Sequence, residues 1–181
     1  MGDIITDNNQ YLTLQLGKEF FAIEITKVRE VLDYINITKV PRTPDFMLGV
    51  INLRGNVVPV VDLHLTLGMP KQERTVDTCI IIVEVQIGVE TILIGALADA
   101  VQEVVNIPDT DISPPPKIGV KLNTEFLRGM GKQNDQFLII LNIDKVLTTQ
   151  EIEEVERATS IVPSAEMIES GETIESLETQ S

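Results

Sequence analysis

The chain is built twice, and that limits what it can fold into more than any other feature. Gly17 is matched by Gly88, 71 residues on, and Val28-Arg29-Glu30-Val31 by Val101-Gln102-Glu103-Val104, 73 on. Leu53-Arg54-Gly55 is matched by Leu127-Arg128-Gly129, 74 on. The run from Val57 to Leu63 is matched by Phe137 to Ile143, 80 on, after a polar insertion at Gln133-Asn134-Asp135. Four matches in one order with a slowly drifting offset mark a duplication. Two copies, rather than many, suggest two similar barrels and not a solenoid. A copy of about 65 residues would be marginally stable alone, so the halves, 10–67 and 78–147, are expected to pack together.

Within each copy, short apolar runs alternate with turn residues at close spacing, the pattern of small β-barrels. Tyr11–Leu16 and Phe20–Ile25 flank Gly17-Lys18-Glu19 as a hairpin, and Thr78–Ile87 and Thr91–Leu97 flank Gly88-Val89-Glu90 as another. Thr26 is a candidate cap for a short helix over Lys27–Asp33, with Ile25, Val28 and Leu32 at helical spacing. Ile35–Val40 is expected as a strand stopped by Pro41 and Pro44. Gly49–Leu63 reads as strand, turn at Arg54-Gly55-Asn56, then strand. Ile51 and Leu53 fall on one face of the first strand, and Val50, Asn52 and Arg54 on the other. Val57–Val61 is apolar throughout and expected to be buried on both faces, with an edge or bulge at Pro59. Leu63–Leu67 and Asp144–Leu147 read as helical turns, Gly129-Met130-Gly131 as a tight turn, and Pro108–Pro116 as a stiff loop. Thr148-Thr149-Gln150-Glu151 fits a capping box ahead of a short helix. The reading is one domain over residues 1–157 and an acidic tail over 158–181, rich in Glu, Ser and Thr, expected to be disordered and solvating, with an acidic interaction tail as the alternative.

Charge and residue counts remove several function classes. The net charge is −14, so the overall field does not favour nucleic acid or anionic lipid. Cys79 is the only cysteine, which leaves no intrachain disulfide, and no apolar run reaches 18 residues. A cytoplasmic protein is the expectation. His64 is the only histidine, so no His-paired metal site exists and a catalytic triad would have to use His64 as its base. A structural or surface role suits it better. Cys79 lies in a Val/Ile run as a small buried hydrophobe. Asp62 and Asp99 border strands as turn residues, and Gly129-Met130-Gly131 lacks the rest of any nucleotide-binding pattern. No catalytic residues, no metal and no cofactor are expected. Spacing alone makes Arg54 a solvated turn arginine.

Over about residues 10–155 the sequence resembles the CheW-like family of bacterial chemotaxis coupling proteins. The resemblance rests on Gln10-Tyr11-Leu12 leading into Gly17, on Lys27-Val28-Arg29-Glu30-Val31, and on Thr43-Pro44-Asp45-Phe46. It continues through Gly49–Gly55 and Pro59-Val60-Val61-Asp62-Leu63, then Thr124–Leu127 and Leu141–Leu147. It implies an all-β fold of two pseudo-symmetric five-stranded SH3-like barrels around a shared apolar core. It also implies a non-catalytic adaptor that couples transmembrane chemoreceptors to the regulatory domain of the histidine kinase CheA. Carried over residue by residue, Val28, Glu30, Arg54 and Val104 would meet the receptor tip. Ser113, Lys117 and Ile118 would meet the kinase, although many members carry a basic residue where Ser113 stands. A CheW-like regulatory module of a larger kinase or receiver protein is the alternative, and an enzyme built on a β-barrel is disfavoured.

Overall fold

The computed structural model describes residues 9–114 and 126–161. In chain order the strands are β1 (Gln10–Leu16), β2 (Glu19–Glu24), β3 (Val28–Asp33), β4 (Met47–Leu53), β5 (Asn56–Asp62) and β6 (Cys79–Ile87). They continue with β7 (Glu90–Ala98), β8 (Ala100–Asn106), β9 (Ile112–Ser113), β10 (Leu127–Gln133) and β11 (Gln136–Leu141). Two α-helices accompany them, α1 (Leu63–Thr66) after β5 and α2 (Thr149–Ser160).

The strands form two sheets, ordered β8-β1-β2-β11-β10-β9 and β3-β6-β7-β5-β4. The duplication is visible, yet neither sheet is one repeat. The first hairpin, β1–β2, sits in the sheet of the second half's later strands. The second hairpin, β6–β7, sits with β3, β4 and β5. The two halves have exchanged hairpins, joined by the matching parallel pairs β11·β2 and β5·β7.

Strand alternation then sorts the apolar side chains into three clusters. On β6, Ile80 and Ile82 point into a cluster with Ile51, Val58 and Val60, inside the β3–β7 sheet. Cys79, Ile81, Val83 and Val85 point the other way, into a large cluster shared with Leu12, Leu14, Leu16, Phe21 and Ile23 of the opposite sheet. Tyr11, Ala22, Leu138 and Ile140 fill the third, inside the β1-containing sheet. Each sheet thus wraps its own small core, and a larger core holds the two together. The expected all-β plan with a shared core stands.

Several local expectations fail, each for a physical reason. Lys27–Asp33 is not a helix: Ile25–Lys27 makes one 3-10 turn and Val28–Asp33 pairs with β6 as a strand. Three of its six residues are Val or Leu, and sheet pairing overrides the weak 3.6-residue spacing. A bulge at Arg29 supplies the irregularity that resembled helical periodicity. Ile35–Val40 contributes a single bridge, Thr38 to Val50, rather than a strand. Gly129-Met130-Gly131 is no turn but lies inside β10; the turn is at Asn134-Asp135, both at positive φ. The strand register also moves the repeat. Met47–Leu53 corresponds to Leu127–Gln133, since Gly49 pairs with Val60 as Gly129 pairs with Ile140. The structural counterpart of Arg54 is therefore Asn134, not Arg128. Pro59 lies in the interior strand β5, and the bulge is on β4, between Met47 and Gly49. β7 pairs with β5 only from Val60 to Asp62, so Pro59 interrupts no ladder there.

The capping box at Thr148 forms as expected. The Glu151 amide donates to the Thr148 hydroxyl at 3.1 Å and the Thr148 amide to the Glu151 carboxylate at 2.8 Å. The helix runs to Ser160, three residues past the expected boundary, with Ala158 buried among Ile152 and Val155.

Candidate functional site

The two residues the structure brings together are Glu30 and Arg54. Leu53 pairs with Asn56, so Arg54-Gly55 is a two-residue hairpin loop with both φ angles positive, 50° and 89°. Gly55 takes that conformation without penalty, and its amide donates to the Asn52 side-chain oxygen at 2.9 Å. The loop swings the Arg54 guanidinium from the tip of β4–β5 across to β3. There Nη2 donates to both Glu30 carboxylate oxygens, at 2.5 and 2.7 Å, and Nη1 to Oε2 at 2.9 Å. β3 and β4 are the two outer strands of their sheet, so this fork ties together the edges that must meet when the sheet curls. The Arg54 side chain is still 68% exposed and that of Glu30 26% exposed. The pair is a solvent-facing charge cluster, not an interior lock.

The other expected receptor residues are placed separately. Val28 opens β3 half-buried and packs on the shared core, which accounts for its core-like spacing in the sequence. Arg29, extruded at the bulge, bonds to Glu84 on β6. Val104 is 48% exposed, but on β8, the outer strand of the opposite sheet, opposite Leu12. Val31 and Val104 each leave a branched apolar side chain on an outer strand.

Of the three expected kinase residues, only Ser113 falls within the described residues; Lys117 and Ile118 lie outside them. Ser113 is exposed on β9 and pairs with Met130. Its carbonyl oxygen would stand 2.6 Å from a Cβ at Gly129, so glycine there lets β9 approach β10. Ser113, Pro114 and Phe137 line one cleft of about 790 Å³. Phe137 is 65% exposed, although it opens the apolar run Phe137 to Ile143. The available signal was its position at the polar end of that run, next to Gln136.

His64 joins a network that sequence reasoning did not assemble. Its Nδ1 lies 3.0 Å from Asp62 Oδ1 and its Nε2 3.0 Å from Asp99 Oδ2. The Gly17 amide donates to the same Asp99 oxygen at 2.6 Å. The network thereby ties the end of β5 to the β7–β8 crossover and to the tip of the first hairpin. Asp62 and His64 are each only 1% exposed, so they work as a polar strap between the sheets. Burial pushes the Cys79 thiol up to about 11, assisted by Asp33, Asp99 and Asp77, and leaves it protonated and unreactive at neutral pH. Among the described residues no cluster of His, Cys, Asp and Glu could hold a metal ion, and no helix is long and apolar enough to cross a membrane.

Comparison with known proteins matches this architecture. The family model of the CheW-like domain matches residues 10–151. A chemotaxis protein CheW of Klebsiella aerogenes is 33% identical over 147 residues, covering 81% of this chain and 86% of that protein. Another, of Helicobacter pylori, is 35% identical over 138 residues, covering 76% of this chain and 81% of that protein. The crystal structure of the scaffolding protein TtCheW from Thermoanaerobacter tengcongensis superposes with a TM-score of 0.70 at 34% identity, covering 80% of this chain and 95% of that one. A domain match across most of the chain, relatives a third identical and a shared fold agree with one another: the chain belongs to the CheW-like family, whose members are non-catalytic scaffolds of chemotaxis.

Proposed function

We propose that this protein couples the cytoplasmic tip of methyl-accepting chemoreceptors to the regulatory domain of CheA, and is recruited through both to receptor arrays. The exposed Glu30–Arg54 fork carries the reading. An ion pair whose guanidinium remains largely in solvent contributes little to stability, on the order of 0–1 kcal/mol. It offers instead a fixed charge beside the branched apolar residues of β3, suited to orienting a helical hairpin whose apolar side chains seat nearby. Val28 contributes a packed base at the start of β3, and Val104, on the outer strand β8 of the opposite sheet, would be a separate contact point.

The kinase contact is assigned to Ser113, on β9 of the other sheet, together with Lys117 and Ile118, which lie outside the described residues. Phe137 gives this face an exposed aromatic, the residue type that anchors protein interfaces. The test is kinase activity in receptor-bearing membranes with CheA, with and without this protein. Stimulation on addition supports coupling; an unchanged rate overturns it. Arg54→Asp should abolish most of the stimulation while leaving binding to isolated CheA intact.

A further inference from the structure

A second surface lies at the opposite end of β5 from Arg54. Here a cleft of about 570 Å³ opens between the β3–β4 connection, the α1–β6 link and the β7–β8 crossover. Its floor is the Asp62–His64–Asp99 network, whose polar atoms already serve one another and Gly17. Its walls include half-buried Ile37, Leu48 and Leu97. Exposed Lys39, Lys71 and Arg74 stand around its mouth, against one exposed acid, Glu73. Arg74 is held in place over the Tyr34 ring, 4.0 Å from its centroid. Among the described residues none of these three cations takes part in an ion pair. Lys39 and Lys71 also border the adjoining hollow beside Leu65. Three cations stand at the mouth of an apolar-walled cleft with Glu73 as the one acid beside them, and they balance Glu73 and the floor carboxylates of Asp62 and Asp99, in a chain whose net charge is −14.

The same chain carries a segment of complementary chemistry. Residues 162–181 hold five glutamates at every third position, Glu166, Glu169, Glu172, Glu175 and Glu178, and no Lys or Arg. Ile168, Ile174 and Leu177 each directly precede one of them. Twenty residues reach roughly 66–72 Å when extended. That exceeds the width of a body whose radius of gyration is about 15 Å. The segment starts where α2 ends, and α2 packs along Asn56–Pro59 of the same β5 whose far end forms the cleft floor.

We infer that the acidic segment 162–181 docks on its own chain, with its glutamates on Lys39, Lys71 and Arg74 and an Ile or Leu between the apolar walls. Such contacts are weak one by one and strengthened by tethering, because the segment cannot diffuse away. Salt weakens them, since they lie at the surface.

The test uses the full chain and a zero-length carbodiimide, which joins only carboxylates and amines already in contact. Peptide mapping of the monomeric product should find the tail glutamates joined mainly to Lys39 and Lys71, rather than to exposed Lys18, Lys132 or Lys145. Yields at Lys39 and Lys71 should fall about threefold or more in about 1 M NaCl, where screening cuts the reach of charges to roughly 3 Å. Acylation of Lys39 and Lys71 should rise by about the same factor when all five glutamates are changed to glutamine, with Lys18 unaffected. Even joining to every exposed lysine, joining only within a dimer, or unchanged acylation would each overturn the inference.

Discussion

Single residues carry both the tight packing and the proposed recognition in this molecule. A Cβ at Gly49 would lie 2.1 Å from the Thr38 carbonyl oxygen, and φ there is +146°. Gly49→Ala is therefore expected to cost more than about 3 kcal/mol, read from urea unfolding. Arg54→Asp should behave in the opposite way. It removes a largely exposed ion pair, so stability should fall by less than about 1 kcal/mol. Receptor affinity should weaken by about 1–3 kcal/mol, measured by calorimetric titration with a receptor hairpin fragment; an unchanged affinity would remove Arg54 from the interface. Cys79 gives a pH dependence. Its folded value of about 11 stands above the ordinary 9.0 of a thiol. Burial favours the protonated form, so its contribution is fully present below pH 9 and is lost as pH rises through 9 to 11. Stability should drop by roughly 2–3 kcal/mol across that window, and the drop should shrink in Cys79→Ala. Arg54 was legible as a turn residue from its glycine neighbour. Its partner Glu30 was not, because the pairing joins strands 24 positions apart whose meeting depends on how the sheet curls.

At the scale of elements, short-range signals were the readable ones. Both hairpins around Gly17 and Gly88, the turn of α1 and the capping box of α2 follow from contacts within a few positions. Thr148→Ala should remove the box and cost about 1 kcal/mol. That corresponds to a fall in Tm of about 2–4 °C for a chain of this size. β3 was misread because a bulge at Arg29 broke its alternation, and β10 because its two glycines imitate a turn. Those glycines serve close packing: Gly129 admits the Ser113 carbonyl, and Gly131 lies against Ile107 and Ile140. The duplication itself was legible, as was the offset of 80 between Val57–Leu63 and Phe137–Ile143, but the match of Leu53-Arg54-Gly55 at 74 was wrong. A shared Leu-Arg-Gly triplet outweighed the strand register, and only the pairing shows that Gly129 answers to Gly49.

For the molecule as a whole, the exchange of hairpins makes the two sheets one cooperative unit. Neither wraps its own core without strands from the other half of the sequence, and the largest cluster belongs to both. Chemical unfolding is expected to show one transition, coincident by far-ultraviolet circular dichroism and by tyrosine fluorescence. Two separate steps would mean that the sheets fold independently. The repeat pattern alone does not specify the exchange, since either connection of the repeats buries the same residues; only the family resemblance pointed to intertwined halves. The consequence of the exchange falls on synthesis. The β3–β7 sheet has all its strands once Ala98 has left the ribosome, but β2 waits for β11, whose first residue is Gln136. At about 5–20 residues per second, the β2 edge of the leading hairpin stays unmated for roughly 6–22 s, although β8 reaches its β1 edge sooner. In that interval this edge, with the Tyr11 and Ala22 face that Leu138 and Ile140 later cover, is open to chaperones and to the same hairpin on a neighbouring polysome.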